Sequence, residues 1–129
     1  MALPLGTWNV VTNLHDTILN ITNVDAARNV TGTIQVDASD TYNITGTWNA
    51  ATNELKFSYS YTILFGHFHL FFFASYDGYA FQAGQPLFNQ TAGPVSPAAW
   101  NMLAGTYTVG PFFEGVTRPL YGWVARQPH

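Results

Sequence analysis

The sequence predicts an all-β protein: an eight-stranded antiparallel up-and-down β-barrel with an extra C-terminal tail. Three observations carry this. About eight short runs alternate apolar and polar residues at even spacing, joined by short turn-forming stretches, which is the pattern of a meander. An open meander would expose two strand edges, and closure removes them. Gly-Thr followed by an apolar or aromatic residue recurs at Gly6, Gly32, Gly46 and Gly105. Inward glycines relieve crowding where the strands of a small barrel bend.

The first predicted strand runs from Gly6 to Leu14, and His15-Asp16 turns the chain. Thr17 to Val24 is the second strand, and Asp25 to Asn29 a polar turn. Val30 to Val36 alternates cleanly, with Val30, Gly32, Ile34 and Val36 facing in. Tyr42 to Trp48 repeats that pattern. Glu54 to Tyr76 reads as a long hairpin turning at Phe65-Gly66. Its first strand turns Leu55, Phe57, Tyr59, Tyr61 and Ile63 inward. Its second turns Phe68, Leu70, Phe72, Ala74 and Tyr76 inward, and His67, His69, Phe71, Phe73 and Ser75 outward. That outward face is also apolar, so another surface covers it.

Asp77-Gly78 reads as a turn. Tyr79 to Gln90 then reads as an edge or bulged strand, because Gly84 and Pro86 interrupt it. Pro97 to Leu103 reads as a single helical turn with proline at its start, and Ala104 to Val109 as a strand. The tail carries one more strand at Leu120 to Arg126. Residues 1–110 are expected to form the barrel domain, with 111–129 an extension that packs on it or completes it.

A length of 129 residues suits one domain with one core. Charged residues are only 9% of the chain, and four Lys+Arg cannot build a phosphate-neutralising patch, so no nucleic-acid partner is expected. Without cysteine there is neither a disulfide framework nor thiolate chemistry. No apolar run reaches the length of a membrane span, so no membrane partner is expected either. The N-terminus shows no signal-peptide pattern, and localisation stays open. His67 and His69 have the spacing of ligands on one strand face, but no third ligand stands nearby. The expectation is a polar interface patch, with no metal site and no cofactor.

Several segments, in order, carry a family resemblance. They are Gly6-Thr7-Trp8, Leu14 to Ile34, Ile44-Thr45-Gly46, Phe88 and Trp100 with Thr91 and Gly93 between them, and Ala104-Gly105-Thr106-Tyr107. Together they resemble the avidin and streptavidin family. The resemblance implies that family's barrel and a ligand pocket at its mouth. Phe57, Tyr76, Phe88 and Trp100 stand where the family has four tryptophans. Asp16, Ile34 and Val36 stand at a serine, a tyrosine and a serine that bind the ureido group of biotin. Phe72 and Ala74 stand at a serine and a threonine. Tyr107 stands at the aspartate of the last strand. Thr12 or Asn13, with Leu14 beside them, stand near the family's asparagine.

The aromatic walls therefore persist and the polar end is replaced. Each ligand group left unpaired in a dry pocket costs about 1–3 kcal/mol, and an ionised Asp16 only accepts hydrogen bonds. The resemblance thus implies a non-catalytic binder of a small apolar or aromatic ligand, with weak affinity for biotin. Family barrels pack their outer faces into dimers and tetramers, which implies a homo-oligomer through Phe71 and Phe73. Two other readings stand beside this one: a small barrel enzyme of the cyclase or isomerase kind using Asp16 and a tyrosine, and a ligand-free homologue whose lumen is filled by its own side chains. Arg126 is expected to stack on Trp8.

Overall fold

Eight antiparallel strands run in chain order: β1 (Gly6–Thr12), β2 (Asp16–Val24), β3 (Asn29–Gln35), β4 (Thr41–Asn49), β5 (Glu54–Phe65), β6 (Phe68–Ala83), β7 (Trp100–Gly110) and β8 (Tyr121–Arg126). Each pairs with the next, and β8 pairs back with β1, which closes the barrel. The computed structural model describes residues 2–13, 16–83, 100–110 and 120–127; at 63, 65, 68, 70 and 83 it describes the strand and not the side chain. Phe88, Leu14 and the segment 111–119 lie outside the described residues.

Alternation sets the two faces as the sequence predicts. In β1, Trp8 and Val10 are buried between exposed neighbours. In β2 the buried positions are Thr17, Leu19 and Ile21, and in β3 they are Val30, Gly32 and Ile34. One end of the barrel is closed by large side chains: Trp8, Ile21, Val30, Trp48, Leu55 and Leu103 are all buried there, beside Leu3 of the N-terminal lead-in. The other end is ringed by Tyr42, Tyr59, Tyr61, Phe72 and Tyr121, all half-buried.

Several expectations are corrected. Asp77-Gly78 is no turn, because β6 runs straight through it from Phe68 to Ala83. Gly78 serves packing instead. It pairs with Gly105, and Gly105 with Trp123, so the indole lies against two adjacent glycines. A Cβ at Gly78 would stand 2.5 Å from the Trp123 ring, and one at Gly105 would strike the Asp77 carbonyl. The continuation of β6 also recruits Trp100 to Leu103 into strand, paired with Ala83 to Ala80, where a helical turn was expected.

The hairpin turn is Gly66-His67, one residue later than expected, because Phe65 pairs with Phe68. Gly66 takes φ 57, as the first loop position of a two-residue hairpin requires. His67 therefore sits in the turn and does not share a strand face with His69. Ala104 to Tyr107 lie on β7 and not on the last strand, which is Tyr121–Arg126 from the tail. Arg126 alternates with inward Ala125, so it faces outward and lies 4.3 Å over the Trp100 ring; Trp8 is inside.

Candidate functional site at the barrel mouth

Strand register builds an aromatic row across the lumen. Phe57 of β5 pairs with Tyr76 of β6, Tyr76 with Tyr107 of β7, and Tyr107 with Tyr121 of β8. The first two pairs stack at 4.6 and 4.7 Å, and Tyr121 lies tilted to Tyr107 at 5.3 Å. Trp123 closes this row from beneath, edge-on to Phe57 and Tyr76, with its Nε1 donating to the Thr106 carbonyl at 3.1 Å. Aromatic contacts of this kind add about 0.5–1.5 kcal/mol each to area burial. Below the row the lumen is filled by the closed end described above.

Above the row the inward residues become small on one side. Ala74 and Val109 pair across β6 and β7, and Val36 follows the end of β3. On the other side the wall is tall: Tyr42 stacks on Tyr59 at 5.3 Å and on Tyr61 at 5.1 Å, and Tyr61 stacks on Phe72 at 5.3 Å. The result is a cavity of about 740 Å³ at the mouth, lined by Val36, Tyr42, Tyr59, Tyr61, Thr62 and the acidic pair Asp37 and Asp40. The site is thus a cup over a filled lower lumen. A separate groove of about 520 Å³ runs along the outside of β4 to β7 over Thr45, Ser58, Ser75 and Thr108, which alternate with inward residues.

The polar groups in the cup wall and in the lumen below it are of two kinds. The Tyr42, Tyr59 and Tyr76 hydroxyls titrate above their ordinary range, chiefly through burial; Tyr59 and Tyr76 also share a hydrogen bond. They stay protonated and serve as neutral hydrogen-bonding groups. Two other hydroxyls are buried without a hydrogen-bond partner among the described residues: Tyr107 Oη and Thr17 Oγ1. Tyr107 is 3% exposed and Thr17 4%. A buried unpaired hydroxyl costs about 1–3 kcal/mol; neither of the two lines the cup itself. At the rim, Asp37 Oδ1 accepts from the Ser39 and Asp40 amides, both at 2.8 Å, which fixes the loop from β3 to β4. These bonds hold the Asp37 carboxyl below its ordinary range, and the nearby Asp37 raises Asp40.

The structure brings together Phe57, Phe72, Ala74, Tyr76, Tyr107, Ile34 and Val36 of the expected site residues. Ile34 is fully buried and Val36 half-buried. Thr12, half-buried, ends β1 opposite Trp123. Asn13 is exposed, and its Oδ1 accepts the Gly122 amide at 3.1 Å, tying β1 to β8. Trp100 lies outside the cup, on the outer face with Arg126. Asp16 is exposed on the outward face of β2, and Thr17 is turned inward in its place. Thr17 is an inward polar residue that the sequence reading did not name. Once Leu19 and Ile21 are placed inward, period two carries the same face back to Thr17.

Neither a protein-family model nor a curated protein matches the sequence. Solved structures match in shape. Ligand-free shwanavidin aligns at TM-score 0.62 and 12% identity over 100% of both chains. A shwanavidin variant crystallised with biotin aligns at TM-score 0.58 and 11% identity, over 98% of this chain and 100% of that one. At this identity the likeness establishes the avidin-like fold.

Proposed function

We propose that this avidin-like barrel is a non-catalytic receptor for a small, largely aromatic ligand taken into the tyrosine-walled cup. One observation carries the reading: two unpaired buried hydroxyls, Tyr107 Oη and Thr17 Oγ1, inside a barrel whose mouth offers about 740 Å³ between aromatic walls. Apolar cavities with a few convergent polar groups are the usual form of a ligand site. The tyrosines supply flat faces for stacking, and the two orphaned hydroxyls supply orientation. An acid–base enzyme is less well supported, because Asp16 faces outward and burial keeps the tyrosines protonated.

Biotin fits this cup poorly. Its ureido group asks for several hydrogen-bond partners, where Ile34 and Val36 offer none. Its carboxylate would meet the Asp37 and Asp40 rim. Calorimetry is expected to give micromolar affinity or weaker, and nanomolar affinity would overturn the pocket assignment. The neutral probe N-phenyl-1-naphthylamine is expected to brighten on binding. Tyr61→Ala weakens that binding and Trp100→Ala leaves it unchanged; the reverse pattern would place the site elsewhere.

The outer face of β6 supports a homo-oligomer, dimer or tetramer. Phe71 is 57% exposed and lies 6.4 Å from the Phe73 ring, and Tyr79 and Phe81 are exposed further along the same face. Exposed aromatics on a weakly charged surface call for a cover, and a second copy is the partner always at hand.

A further inference from the structure

The closed end carries a concavity of its own, at the opposite end of the barrel from the cup. The lead-in before β1 meets there the turns that follow β2 and β4. Leu3, Leu5, Val24 and Ala50 form the apolar walls of a pocket of about 630 Å³, with Arg28 and Trp48 among them. That size is ordinary for a small-molecule site. The pocket shares no lining residue with the cup.

Its two polar side chains both donate, and neither can accept. Trp48 is 4% exposed, and its Nε1 has no hydrogen-bond partner among the described residues. Trp8 at the same end is matched by the Pro4 carbonyl. The core behind Trp48 is apolar, and no side chain lining the pocket is an acceptor, so a partner for this N–H has to come from inside the pocket. Arg28 is exposed and always charged. Its backbone is pinned to the indole's own residue, because the Arg28 carbonyl accepts the Trp48 amide at 3.0 Å. Acceptors nearby are already engaged. The Asp25 carboxylate takes the Asn29 amide at 2.8 Å and the Asn29 side chain at 3.3 Å, and the Leu5 carbonyl takes Gln127 Nε2 at 2.6 Å.

We propose that this closed-end pocket binds a small aliphatic monocarboxylate, its carboxylate shared between the Arg28 guanidinium and Trp48 Nε1 and its tail against the apolar walls. A carboxylate is an acceptor only and brings two oxygens, which suits two donors and no acceptor. Its bond to a guanidinium is charge-assisted and stronger than a neutral one. An amine is disfavoured by the Arg28 charge. A neutral alcohol can accept from the indole but leaves that charge unmatched. The bound acid also gives a buried N–H the partner the chain does not supply. This inference stands apart from the reading of the cup.

The test is a titration of the full chain with octanoate, read by NMR on nitrogen-15-labelled tryptophan. The chain has four tryptophans, and Trp48→Phe identifies the Trp48 indole signal by its loss. That signal is expected to move downfield and saturate with octanoate, and to stay in place with 1-octanol, which has the same tail and no charge. Arg28→Asn is expected to weaken octanoate about tenfold or more. Arg28 has φ 68, a conformation that asparagine tolerates, so the variant keeps the turn. Arg28→Lys restores part of the affinity. The proposal is overturned by a Trp48 signal that octanoate leaves in place, by octanol moving it equally, or by Arg28→Asn binding octanoate as the wild type does. It is also overturned if octanoate displaces N-phenyl-1-naphthylamine in competition, which would put the acid in the cup.

Discussion

The two ends of this barrel solve opposite problems with similar side chains. At the closed end Trp8, Leu19, Ile21, Leu55 and Leu103 are fully buried, and Trp8 Nε1 donates to the Pro4 carbonyl at 3.3 Å. Trp48 Nε1 is the exception there, buried without a partner. At the mouth the aromatics are half-buried, their stacks open to solvent on one side, and two buried hydroxyls remain unpaired. Apolar area removed from water contributes about 25 cal/mol per Å², so the closed end holds the fold. The mouth gives up part of that burial and keeps unmatched polar atoms for something that arrives later.

Substitutions should separate the ends, and the largest effect is expected at the closed one. Trp8→Ala removes a fully buried indole and should cost about 3–5 kcal/mol in denaturant unfolding, whereas Tyr61→Ala at the mouth should cost about 1 kcal/mol or less. Equal losses would erase the distinction. Gly105→Ala comes next. Its methyl would strike the Asp77 carbonyl, and the strands near Trp123 must part, for about 1–3 kcal/mol. A neutral result would mean that the Trp123–glycine packing bears little strain. The smallest effect belongs to the outer wall. Arg126→Ala removes an exposed cation over Trp100 and should cost about 0.5–1 kcal/mol in the same unfolding measurement. It should leave probe binding untouched.

The sequence showed β1 to β5 well, because one face of each strand is wet and alternation is then visible in the letters. It misled where a residue type served two uses. Asp77-Gly78 carries the letters of a turn, but the glycine makes room for an indole some 45 positions away, a contact no local pattern reports. Asp16 and Thr17 show how narrow the margin is at the site. The family likeness names Asp16, the strand turns Thr17 inward, and in a strand a difference of one position exchanges the inner and outer faces. Trp100 and Arg126 make a related case. Both were assigned by likeness to a family pattern, while parity within β7 and β8 puts them outside together. The aromatic row survived because Phe57 and Tyr76 lie on the long hairpin, whose register is fixed by its own two-residue turn.

The account rests on the claim that Tyr107 keeps its hydroxyl for a ligand and at a cost to the fold. Tyr107→Phe tests this with two readings on one variant. The account predicts a chain more stable by about 1 kcal/mol, because an unpaired buried hydroxyl has gone, together with weaker binding of N-phenyl-1-naphthylamine. A variant that is less stable and binds the probe as the wild type does would contradict it, and would make that hydroxyl a structural hydrogen-bonding group.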